Sequence, residues 1–121
     1  MVGAGGFIGA VCRYGMSSWV QRNFPASIFP YGTLAVNMLG CLLIGLAIGF
    51  AESRQIFGDE FRRFVLIGVL GGFTTYSTFS YETLALIHEA DYLRAFGNVG
   101  VHVVLGLLLV WIGFGVMTRQ F

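Results

Sequence analysis

Apolar residues run almost unbroken over four stretches of the chain, roughly 2–21, 31–51, 64–87 and 95–118, and polar residues gather between them. Arg22, Asn23, Pro25 and Pro30 mark the first link, Glu52, Arg54, Asp59, Glu60, Arg62 and Arg63 the second, and Glu89, Asp91 and Arg94 the third. A helix needs about 20 mainly apolar residues to cross the hydrocarbon core of a bilayer, so each stretch has the length of a span. The pattern predicts an all-α membrane protein, residues 1–121 forming a single domain of four transmembrane helices joined by short links. Gly5-x-x-x-Gly9, Gly45-x-x-x-Gly49 and Gly68-x-x-x-Gly72 put small faces on three of the helices, the pattern of ordinary close helix packing.

The third stretch is irregular near its middle, where residues 71–80 read G-G-F-T-T-Y-S-T-F-S. Hydrocarbon offers backbone groups no partners, so a weakened helix is tolerated there only where it faces protein, water or an ion. The third helix is therefore expected to be broken near its middle. Carbonyls freed at such breaks in transporters are hard oxygen ligands for Na⁺, which makes the Gly71–Gly72 region a candidate cation site. Tyr76 and Phe79, three residues apart, share a helix face, and Thr75, Ser77, Thr78 and Ser80 place hydroxyls around them. Ring edges carry the positive part of the aromatic quadrupole. Together with hydroxyl donors they can hold a small anion loosely enough for it to leave again. The same spacing also describes an aromatic packing pair.

Other polar residues within the spans need a reason. Arg13 lies past the middle of the first span, where a cation costs about 2.5–3.5 kcal/mol on insertion scales. It either draws anions electrostatically or snorkels to the interface as an anchor. Asn37 has an amide that suits a partly dehydrated anion, or that ties two helices together. Glu82, one turn beyond Phe79, either lines a vestibule or packs as a protonated or paired carboxyl. Cys12 and Cys41 form no C-x-x-C and read as small packing residues.

Composition narrows the function classes. The chain is 56% hydrophobic and 11% charged, against roughly a quarter charged in soluble domains. Its start lacks a basic n-region, so no cleaved signal peptide is expected. There is no lysine and the arginines are scattered, which argues against a DNA or RNA partner. No H-E-x-x-H, G-x-S-x-G or Walker sequence is present, and the chain is not expected to be an enzyme. Arg54, Arg62, Arg63 and Arg119 fall on one side of the predicted membrane plane and Arg22 and Arg94 on the other, a weak positive-inside bias. So balanced a chain can insert both ways, and four helices are few to enclose a pathway. An antiparallel homodimer in the lipid bilayer is the expected assembly.

Gly9 to Arg13 in the first stretch, G-T-L-A-V-N from Gly32 to Asn37, and G-G-F-T-T-Y-S-T-F-S-Y-E from Gly71 to Glu82 together resemble the Fluc/CrcB family of fluoride channels. The resemblance spans essentially the whole chain. It implies a dual-topology, antiparallel homodimer that passively conducts fluoride out of the cytoplasm across the bacterial inner membrane and relieves fluoride toxicity. It also implies a structural Na⁺ at the dimer centre, held by the backbone carbonyls of Gly71 and Thr74 from both chains. The family's two pore phenylalanines fall on Tyr76 and Phe79, its pore asparagine on Asn37 and its first-span arginine on Arg13. Tyr76 stands where the family usually has phenylalanine. The fourth stretch offers Asn98, His102 and Gly106 at one-turn spacing where the family often carries serine, so His102 is a candidate replacement donor. The rival reading is a proton-coupled exporter resembling the small multidrug resistance family. That chemistry needs a first-span carboxylate, and here the first span carries Arg13 and no acid.

Overall fold

The structure, a computed structural model, describes residues 1–24, 29–54 and 58–119. Pro25, placed in the first link, lies outside them. Among the described residues every regular element is helical. Helix α1 spans Val2–Asn23 and α2 spans Tyr31–Arg54. The third membrane segment is compound: α3 (Asp59–Arg62), a π-helical stretch (Arg63–Leu70), α4 (Gly71–Phe73), then α5 (Tyr76–His88) after a break. Helix α6 covers Tyr92–Thr118. Four helices with the third bent is the architecture the apolar pattern predicts. Their ends run a few residues past the apolar stretches because polar residues such as Arg22, Ser53 and Arg54 continue a helix once it leaves the apolar layer.

On their own, α2 and α6 are long and apolar enough to cross a membrane. At 1.5 Å per residue, the 24 residues of α2 extend about 36 Å, more than the roughly 30 Å hydrocarbon core. Helix α1 carries Arg13 within its length, and the third segment is interrupted.

The helices assemble as two pairs, α2 against α6 and α1 against the first half of the third segment. Glycines set both contacts. A side chain at Gly5 would meet the Phe64 carbonyl at 2.6 Å, and one at Gly72 the Gly6 carbonyl at 2.7 Å. On the other pair, a side chain at Gly49 would meet the Phe114 carbonyl at 2.8 Å. The three G-x-x-x-G faces are thus packing surfaces. Gly71 and Gly72 are likewise helical, and Gly72 serves close approach to α1.

The distribution of polarity is inverted relative to a soluble protein. Thr33, Asn37, Thr75 and Asn98 are buried, while Phe7, Trp19, Leu93, Phe96, Leu107 and Trp111 are exposed. Such a surface suits a hydrocarbon environment, in which apolar side chains gain nothing by turning inward.

The last connection is tight. Ala90 takes a left-handed backbone (φ 59°) that ends α5, with the Asp91 N–H donating to the Leu86 carbonyl at 2.9 Å. Asp91 then caps α6 by accepting from the Arg94 N–H, and pairs with the Arg94 guanidinium at 2.6 Å. That pairing holds the Asp91 carboxyl below the usual carboxylate range.

Candidate ion pathway

The break in the third segment falls at Thr74 and Thr75, separated from the glycine pair only by Phe73. Both threonines are extended, with φ −83°, ψ 156° and φ −146°, ψ 116°. Their β-branched side chains favour that backbone. Thr75 also starts α5 as its N-cap, its Oγ1 accepting from the Thr78 N–H at 3.2 Å.

Asn37 closes the break from α2. Its Oδ1 accepts from the Thr75 N–H at 2.8 Å and its Nδ2 donates to the Thr75 carbonyl at 3.0 Å. One buried side-chain amide thus stands in for a neighbouring peptide. The second Nδ2 hydrogen faces His102 Nε2 at 3.2 Å. On α6, His102 Nδ1 lies 2.9 Å from the Asn98 carbonyl.

The break leaves carbonyls on its N-terminal side without their helical donors, those of Gly71 and Thr74 among them. In a continuous helix the Thr75 N–H would go to the Gly71 carbonyl, and the Thr78 N–H to the Thr74 carbonyl. Here Thr75 N–H is bonded to Asn37 and Thr78 N–H to Thr75 Oγ1. Hard carbonyl oxygens released in this way match what Na⁺ requires, so the residues present fit the ion that the resemblance implies. Thr74 sits directly against Gly40 of α2, where any side chain would collide with its methyl group.

Most of the residues singled out from the sequence converge here. A groove of about 400 Å³ is lined by Asn37, Cys41, Gly71, Thr74, Thr75, Tyr76, Phe79 and His102, with apolar residues from α2, α6 and the π-helical stretch. Phe79 lies over the His102 ring with centroids 4.2 Å apart, and the Tyr76 and Phe79 rings are 5.7 Å apart. Tyr76 is 80% exposed in the single chain. Ser77 Oγ and Thr78 Oγ1 lie 3.4 and 3.1 Å from Thr75 Oγ1.

Arg13 faces a different, smaller cavity of about 210 Å³, shared with Tyr14, Ser17, Thr33, Val36, Thr75 and Thr78. A third, of about 690 Å³, contains Ser17, Thr33, Thr78 and Glu82. Thr75 belongs to the walls of the first two cavities, and Ser17, Thr33 and Thr78 to those of the last two. The three cavities therefore adjoin, in the order Glu82, Arg13, His102. Ser80 is half-buried and lines none of them.

Two contacts escaped the sequence reading. Thr33 Oγ1 donates to Glu82 Oε1 at 2.8 Å, joining α2 to α5 at the cavity of about 690 Å³ that both residues line. Asn98, with no exposed surface, donates to Thr83 Oγ1 at 2.9 Å, which in turn donates to the Phe79 carbonyl at 2.8 Å. Thr33 lies four residues before Asn37 and so on the same helix face, which is the signal that points to it.

A helical membrane protein with buried amides and hydroxyls gathered on a broken segment has the construction of a channel or transporter. The chain matches the family model described as CrcB-like protein, Camphor Resistance (CrcB), over residues 1–114, and it belongs to that family. Similar proteins are the fluoride-specific ion channel FluC 1 of Methanosarcina acetivorans, 42% identical over 93% of this chain and 85% of the relative, and the fluoride-specific ion channel FluC of Dehalococcoides mccartyi, 43% identical over 93% and 86%. That of Campylobacter lari is 45% identical over 93% of this chain and 91% of the relative.

Proposed function

We propose that this chain is a passive fluoride-selective ion channel and not an enzyme. The observation that carries the reading is the convergence of Asn37, Phe79 and His102 on one groove at the helix break, in a chain whose relatives are named as fluoride-specific channels. Fluoride is small and strongly hydrated, and it gives up water only for directed donors. Ring edges of Phe79 and Tyr76, the Thr75 hydroxyl and the Asn37 amide are donors of that kind in the groove, with the Thr78 hydroxyl on the adjoining cavities and the Ser77 hydroxyl beside Thr75. No charged side chain lines the groove, so binding stays weak enough for the ion to leave. Arg13, one wall away, attracts anions toward the groove without holding them in it. The Tyr76 hydroxyl adds a donor where the family's usual ring has none. Ser80 serves the same hydroxyl-rich run from its flank.

The chain works as an antiparallel, dual-topology homodimer, multi-pass in the lipid bilayer of the bacterial inner membrane, with its four helices as one domain. Gly71 and Thr74 carbonyls of both chains would hold a central Na⁺, which would supply positive charge to offset the carbonyl dipoles. Support comes from the exposed position of Gly71 and Tyr76 in the single chain and from the released carbonyls. Hydrogen fluoride crosses lipid unaided and dissociates in the more neutral cytoplasm, and the channel lets the membrane potential drive the trapped anion out. Nothing favours the proton-coupled exporter, since α1 offers Arg13 where that chemistry needs an acid.

The deciding experiment uses purified protein in fluoride-loaded liposomes, with external fluoride followed by an electrode after a potassium ionophore relieves the charge. Fast fluoride release, not reproduced with chloride, is expected. Intact protein that releases no fluoride sinks the reading.

A further inference from the structure

Thr75, Asn37 and His102 form a chain in which each group fixes the state of the next. A backbone N–H cannot accept and a carbonyl cannot donate, so the two bonds to Thr75 leave the Asn37 amide one permitted orientation. Its remaining Nδ2 hydrogen is then directed at His102 Nε2, 3.2 Å away. Nε2 must be an acceptor, which puts the ring proton on Nδ1, where it donates to the Asn98 carbonyl at 2.9 Å. His102 is neutral in this arrangement, and its lone pair occupies the donor that the groove would otherwise offer an anion.

We propose that His102 is a proton-dependent positioning residue for fluoride. Its Nε2 lone pair competes with the ion for the Asn37 Nδ2–H, and a proton on Nε2 ends that competition and adds a second donor beside the first. The proposal rests on the fluoride-channel reading above. The step balances simply: Nε2 takes one proton from hydronium of the acidified solution, which leaves as water, the ring gains one positive charge, and an entering fluoride offsets it.

The surroundings of the ring make an anion its only ready counter-charge. From α2 the groove receives the Cys41 thiol and from α5 the Tyr76 phenol, both uncharged as thiol and phenol. The π-helical stretch and α4 contribute Leu66, Leu70 and Gly71, none of them ionisable, and α6 adds only Val103. Glu82 and Arg13 face the other two cavities. The contacts of His102 itself are Asn37, Phe79 and the Asn98 carbonyl.

The test is fluoride current across a planar bilayer at fixed voltage, which registers the anion and not diffusing hydrogen fluoride. It is recorded at about pH 8 and about pH 4.5, the lower value well under the ordinary imidazole pKa of about 6.5. Acidification is expected to lower the fluoride concentration for half-maximal current on the order of tenfold, the scale of one charge-assisted hydrogen bond. His102→Gln, whose side-chain carbonyl can accept the same N–H but cannot titrate, is expected to give one and the same value at both pH values. His102→Leu frees Asn37 and is expected to bind fluoride more tightly than the alkaline wild type, again without pH dependence. An unchanged half-maximal concentration in the wild type, or a pH response surviving in His102→Gln, overturns the proposal. Absence of fluoride current at both pH values instead overturns the channel reading. Should both variants misfold, the wild-type comparison decides alone.

Discussion

Asn37 does two jobs that ordinarily fall to different residues: it repairs a broken backbone and it presents a donor to the groove. Removing it leaves the Thr75 N–H and carbonyl buried and unpaired, at about 1–3 kcal/mol each. Asn37→Leu is therefore expected to lower the midpoint of thermal unfolding in detergent as well as fluoride flux. Asn37→Asp keeps an acceptor for the Thr75 N–H but loses the donor and adds a negative charge, so it should slow fluoride far more than it destabilises. Phe79→Ile removes the ring over His102 and is expected to slow fluoride efflux while the protein still elutes as wild type; unchanged rates would take Phe79 out of the pathway. The sequence marks Asn37 as needing a partner, because an amide in an apolar stretch is costly. It does not reveal which partner, because Thr75 is 38 positions away and only the packing of α2 against the third segment brings them together. The Thr33 to Glu82 bond is hidden for the same reason, at a separation of 49.

At the scale of elements, the glycine pair and the break are separate devices. Gly72 is small so that α1 can approach, and the interruption comes from Thr74 and Thr75, whose extended backbone is held by a cap on one side and Asn37 on the other. Sequence inspection places the break within a few residues, since glycines and hydroxyl residues stand together. Its register depends on tertiary bonds that no local pattern encodes. The four helices were legible because each apolar stretch is at least about as long as the membrane core is thick, while their ends were not, because helix continues into charged residues. The α5 to α6 turn gives two further expectations. Ala90 in the left-handed region costs about 1 kcal/mol that glycine would not, so Ala90→Gly should raise thermal stability modestly with flux unchanged. The Asp91 cap has a folded pKa below its unfolded value of about 3.9, so its stabilising effect is complete above that value and lost as pH falls through the folded one. Hydrogen exchange at the start of α6 should accordingly rise only in strong acid, and Asp91→Asn should abolish that acid step.

For the whole molecule, the inside-out polarity and the released carbonyls make the single chain look like half of something. Tags at both ends, read by an insertion assay, are expected to report both orientations in comparable amounts; one fixed orientation would overturn the antiparallel arrangement. Replacing external and internal Na⁺ with a large organic cation is expected to weaken the dimer, and unchanged assembly would remove sodium from the centre. Tyr76, Ser77 and Thr78 lie on the outside of the isolated chain, so a solitary copy in lipid would expose hydroxyls and loosened backbone to hydrocarbon that cannot solvate them. In the proposed homodimer a partner would cover this face, and a lone copy should end only in pairing or in proteolytic clearance. Dilution in a large excess of lipid is thus expected to leave the copies paired, as subunit-capture measurements would show.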